Sequence, residues 1–171
     1  MSESDAPAVP HPKVAGESVE ANVLQRVEQL AYVSDREAEW CDAQADSLLD
    51  PTTTDVVIFR GINLIAKGTH VEIKSAQIRL ASGARGRIFI RERQHERLLD
   101  EDAAYLVAVY DPHPGRNQHV LAMAVIPASL LDEVLPEGWT TVEGDRSERG
   151  YRQLAWSRII DPDDIEGGDR R

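Results

Sequence analysis

An α/β fold with a central mixed β-sheet flanked by helices is predicted by two features of this chain. Two apolar runs of strand length, residues 105–110 and 120–126, carry no polar interruption, the pattern of strands covered on both faces. Segments of helical periodicity precede, separate and follow the strands, giving the order helix, strands, helix, strand, strand, helix.

The elements follow in order. Val19, Val23, Leu24, Val27 and Leu30 recur at three- and four-residue steps, so they predict a first helix opened by Gly16 or Ser18. Residues 33–44 read either as a strand, with Ala38, Trp40 and Asp42 alternating, or as more helix. Asp50-Pro51 and the threonines after it break the chain. A short β-type run follows at 56–59, and residues 71–76 alternate cleanly, with Val71, Ile73 and Ser75 on one face and His70, Glu72 and Lys74 on the other. Beyond the loop at 82–86, residues 87–90 predict a strand and 93–100 a helix that buries Leu98 and Leu99. After the two apolar strands, Pro127 or Ser129 opens a helix through Leu131 and Val134, and residues 151–160 supply a last strand. One domain over 16–160 is expected, between a flexible proline-rich arm (1–15) and a loose acidic tail (161–171).

Composition narrows the function. Of the 171 residues, 42% are hydrophobic and 29% charged, a globular balance. No apolar run is long enough to span a bilayer, and the N-terminal stretch lacks the basic start and apolar run of a secretory signal. A cytoplasmic protein with no membrane segment is expected. Cys41 is the only cysteine, which excludes disulfide frameworks and thiolate zinc clusters.

The formal charge is −11, and only three of the 19 basic residues are lysines. This acidic, lysine-poor balance resembles proteins of salt-loving archaea, and a uniform −11 argues against nucleic-acid binding. Yet Arg79, Arg85, Arg87, Arg91, Arg93 and Arg97 face only Glu92 and Glu96 across residues 79–97. That basic stripe suits phosphate through arginine forks; its plain alternative is a solvated face.

Glu72 and Lys74, two residues apart on one strand, share a surface. A carboxylate binds a hard cation such as Mg²⁺ through oxygen, and a neighbouring ammonium can orient water. A second carboxylate from an adjacent strand would complete the protein's ligands for phosphodiester hydrolysis. Read alone, the pair is equally a same-face ion pair on a solvated sheet.

The surrounding residues resemble the PD-(D/E)xK nuclease superfamily, the restriction-endonuclease-like core of a helix, a three-stranded meander, a helix and a further strand. Gly16-Glu-Ser-Val-Glu20, followed by Val23 and Leu24, looks like the helical opening of archaeal junction-resolvase-type members. Val71-Glu-Ile-Lys-Ser-Ala76 looks like the third-strand signature. Arg87-Ile-Phe-Ile90 and Arg93-Gln-His-Glu-Arg97 resemble the next strand and helix. The likeness covers about residues 16–112, and residues 57–111 also look like uncharacterised nuclease-like proteins of halophiles.

The resemblance implies a divalent-metal-dependent DNA endonuclease using Mg²⁺ or Mn²⁺. Glu72 and either Asp42 or Asp55 would hold the metal, Glu20 would assist, Lys74 would position or activate water, and Gln94 would face the site. Asp55 lies 17 residues before Glu72 and Asp42 lies 30 before it; the Trp40-x-Asp42-Ala43 string favours Asp42, and both stay open. The partner implied is DNA, and a homodimer is compatible with cutting two strands. The alternative reading is a catalytically inactive nucleic-acid-binding or accessory protein of the same fold. His95 reads as structural, Cys41 as a packing residue, and His70, His113 and His119 carry no assignment.

Overall fold

The computed structural model describes residues 12–51, 59–61, 64–112, 119–141, 143–144 and 149–166. Helix α1 spans Pro12–Arg26, followed by strands β1 (Leu30–Tyr32), β2 (Ala43–Ala45), β3 (Phe59–Gly61), β4 (His70–Gln77) and β5 (Arg87–Arg91). Helix α2 (Glu92–Asp100) leads into β6 (Ala104–Asp111) and β7 (His119–Pro127), then α3 (Ala128–Val134). Strands β8 (Thr140–Thr141) and β9 (Gly150–Ala155), a 3-10 turn (Trp156–Arg158) and α4 (Pro162–Glu166) complete it.

The main sheet has six strands in the order β1-β2-β4-β6-β7-β3. It is mixed: β4 runs parallel to β6 and β3 parallel to β7, while β6–β7, β2–β4 and β1–β2 are antiparallel. The two uninterrupted apolar runs became its neighbouring strands β6 and β7. A core lies on each face. On one, Val19 and Val23 of α1 and Val27 just past its end, all fully buried and four residues apart, pack with Val71, Ile73, Leu106 and Ala108. On the other, Tyr105, Val107 and Val109 meet Ile88, Ile90, Leu98, Leu131 and Trp156. A strand covered on both sides has no position for a polar residue without a partner, which is why β6 reads as continuously apolar.

Several expectations need correction. Leu30 sits in β1 rather than on the first helix, which ends at Arg26. Residues 33–44 are neither a strand nor a helix throughout: a turn occupies residues 35–37 and only the end of the segment joins β2. The alternation read at 38, 40 and 42 falls on the turn and loop ahead of β2, not on either three-residue strand. Strand β5 belongs to a second, three-stranded antiparallel sheet, β5-β9-β8, because its buried pair, Ile88 and Ile90, closes over the second core. Part of the expected arm is helical, since α1 starts at Pro12, a residue suited to a first helical turn. The tail also holds structure: α4 brings Glu166 against Arg79 and Arg85.

The two sheets meet where Gly86 passes β4. Its amide donates to Gln77 O at 3.1 Å, and a Cβ at position 86 would lie 2.0 Å from that oxygen. Only glycine fits such an approach. Trp156 ties the same junction, donating Nε1–H to Ile78 O at 3.1 Å and its amide to Gly86 O at 3.2 Å.

Candidate active site

Strand β4 positions the first pair. In the parallel register with β6, Glu72 stands opposite Tyr105 and Lys74 opposite Val107, so both look toward the face covered by α2 and the small sheet. That face is not solvated, as a surface ion pair would require. Glu72 is 7% exposed. Burial pushes its carboxyl up to about 8, against the pull of the Lys74 ammonium and with a further push from Asp42.

Asp42 arrives through the sheet edge. Strand β2 pairs with β4 at Ala43 and Val71, and the Asp42 amide donates to Val71 O at 3.1 Å. There β2 ends, and the Ile73 amide on β4 would have no strand partner. Asp42 Oδ2 accepts that hydrogen at 2.8 Å, so a side chain continues the ladder where the backbone stops. Its carboxyl also makes hydrogen-bond contacts with Glu72 and with Glu20 of α1. Burial holds Asp42 above the usual carboxylate range; the Ile73 amide, those two contacts and Lys74 oppose the shift. Glu20, Asp42 and Glu72 are thus linked through Asp42, while Asp55 lies outside the described residues.

Lys74 is held from two sides. Its Nζ lies 3.4 Å from Glu72 Oε1 and donates to Gln94 Oε1 at 2.9 Å. Gln94 in turn donates Nε2–H to the Trp40 carbonyl at 3.3 Å. The amide is therefore oriented by the segment that delivers Asp42, and α2, β4 and the approach to β2 are locked around one amine. Nothing in the local sequence marked the Trp40 carbonyl as a partner, because a backbone acceptor has no residue signature.

The chemistry of the donors fits a hard cation. All are carboxylate oxygens, and burial has raised the proton affinity of the contacting pair, which a positive charge would relieve. Among the described residues no set of three or more His, Cys, Asp and Glu side chains is spaced as a complete metal cage. Two carboxylates with the remaining positions left to water and substrate phosphate is the arrangement Mg²⁺ takes. Cys41 beside them stays a thiol, its pKa pushed to about 12 by burial and then by the two acidic neighbours.

His95 turns away from this centre. It is 1% exposed, with Nδ1 2.8 Å from Tyr105 Oη and Nε2 2.9 Å from Asp132 Oδ1. His70 packs its ring against Trp40. The arginines divide into groups. Arg79 and Arg85 both pair with the one carboxylate of Glu166, at 2.9 and 2.7 Å, so the tail offsets part of the charge at that end of the stripe. Arg97 pairs with Glu101 and lies over the Trp40 ring, 5.2 Å from its centroid. Arg87, Arg91 and Arg93 are exposed on β5 and α2.

Compared with known families, residues 8–161 match a model of the PD-(D/E)XK nuclease superfamily domain. The chain belongs to this superfamily. The mixed sheet with flanking helices is its restriction-endonuclease-like α/β fold, and the family points to a nuclease acting on nucleic acid, generally with divalent metal. No curated protein and no solved structure matches the chain. No helix among the described residues is long and apolar enough to cross a membrane.

Proposed function

We propose that this superfamily member is a DNA endonuclease dependent on Mg²⁺ or Mn²⁺, with its centre at Asp42, Glu72, Lys74 and Gln94. The observation that carries the reading is the meeting of Asp42 with Glu72 beside Lys74, from positions 30 residues apart in the chain. A divalent cation bound by Asp42 and Glu72 would supply Lewis-acid polarisation of a phosphoryl oxygen. Glu20, through its contact with Asp42, supports the orientation of that ligand. Lys74 presents a fixed positive charge where negative charge develops on the scissile phosphate, and Gln94 sets its direction.

The acidic, lysine-poor composition supports work in a salt-rich cytoplasm, where counterion release contributes little and hydrogen bonds to phosphate matter more. Gly16 and Glu20 at the opening of the first helix favour the junction-resolvase-type branch, so branched DNA is the first substrate to try. One centre per chain calls for two copies to cut both strands, hence a homodimer on duplex.

Cleavage of linear, nicked and branched DNA in high salt tests the proposal. Activity with Mg²⁺ or Mn²⁺ that EDTA abolishes, and that Glu72→Gln and Asp42→Asn both remove, is the expected result. DNA retention with no metal-dependent cleavage, unchanged by Glu72→Gln, would instead establish an inactive binding protein of the same fold.

A further inference from the structure

The small sheet turns an unusual row of side chains outward. Strand β5 alternates strictly, with Ile88 and Ile90 fully buried and Arg87, Phe89 and Arg91 exposed. Folding accounts for the isoleucines, which close the second core. It does not account for Phe89, which leaves 47% of its surface in water. Phe89 stacks on Tyr151 of β9, with ring centroids 4.7 Å apart and planes 23° from parallel. In the β5–β9 register Arg91 stands opposite Tyr151 and Phe89 opposite Gln153. The outer face therefore carries two stacked rings, an amide and an arginine on either side of the phenylalanine.

Charge separates these arginines from the rest of the stripe. Arg79, Arg85 and Arg97 are each paired with a glutamate; Arg87 and Arg91 form no ion pair with any described residue. A groove of about 300 Å³ runs beside the row, lined in part by Arg87, Thr140, Tyr151 and Gln153, with Glu137 on its wall. Aromatic faces interleaved with guanidinium forks match a strand of bases and phosphates. A duplex hides its base faces in its own stack; an unpaired strand offers them. Along the chain the row runs directly into the site, since Arg91 ends β5 and Gln94, three residues on in α2, holds Lys74.

We infer that the outer face of β5 and β9 is a platform for an unpaired DNA strand, with Phe89 and Tyr151 stacking on bases and Arg87 and Arg91 holding phosphates. The inference rests on the nuclease reading for its purpose and on the geometry of the small sheet for its site.

Equilibrium binding of the full chain to a short fluorescein-labelled oligothymidylate, in EDTA so that nothing is cut, tests it beside a blunt duplex of equal length. The wild type should prefer the single strand. Phe89→Ala should weaken that binding by about ten-fold or more with the duplex affinity and melting temperature unchanged, and Phe89→Trp should keep it. Equal affinity for the two probes, or a Phe89→Ala variant that binds the single strand as wild type does, overturns the platform. Because the measurement is made without metal, a failure of Mg²⁺-dependent cleavage would count against the nuclease reading and leave this result to stand or fall by itself.

Discussion

Lys74 Nζ donates to Gln94 Oε1 across 2.9 Å, joining a strand of the main sheet to the helix that follows the small one. If Lys74 supplies charge to the reacting phosphate and Gln94 only directs it, the two side chains should differ in how much they matter. Lys74→Ala is expected to lower single-turnover cleavage by about 10²-fold or more, and Gln94→Ala by about 10-fold with KM little changed. Equal rates for Lys74→Ala and wild type would remove the lysine from the mechanism.

Asp42 has two roles that substitution can separate. Asn keeps an oxygen for the Ile73 amide but loses the charge, so Asp42→Asn should fold with undiminished thermal stability and lose metal-dependent activity. Alanine leaves a buried amide without an acceptor, at about 1–3 kcal/mol, or a Tm lower by roughly 2–10 °C for a domain of this size. Calorimetry on the two variants checks the contrast, and equal losses of Tm would mean that the hydrogen bond at 2.8 Å contributes little.

The sign of the pH dependence follows from burial. Glu72 titrates near 8 in the folded chain against 4.5 for an ordinary glutamate, so the folded state holds this proton more tightly. Its stabilisation is full below pH 4.5 and is lost as pH rises through 8. A cation competes for the same oxygens, so the gain in Tm on adding Mg²⁺ should be larger at pH 8 than at pH 6. Thermal scans with and without Mg²⁺ at both pH values measure this; an increment that does not grow with pH would argue against binding at Glu72.

His95 shifts the other way. Burial lowers its pKa from 6.5, with Asp132 opposing and Arg152 adding to the shift. With the neutral ring accepting from Tyr105 Oη and donating to Asp132, its contribution is full above pH 6.5 and is lost as pH falls through the lowered folded value. His95→Leu should be less stable at pH 7.5, and its Tm should fall less than that of wild type between pH 7 and pH 5. Parallel Tm profiles for the two proteins would sink this account.

Local pattern alone determined a good deal. The apolar runs became β6 and β7, the alternation at 71–76 became β4, and the spacing of Glu72 and Lys74 put them side by side because a strand repeats every two residues. Valines four apart likewise announced the buried face of α1. Tertiary structure decided what pairing and burial decide. The β2–β4 register placed Asp42 against Ile73 and Glu72, and no short-range pattern encodes the partner of a three-residue strand. The covering of β4 by α2 and the small sheet turned an apparently solvated glutamate into a buried one and shifted its titration. Glu166, in a tail that composition marked as loose, took up two arginines of the basic stripe. In each case the deciding contact joins residues far apart in the chain, and its free energy exists only once the intervening segments have folded.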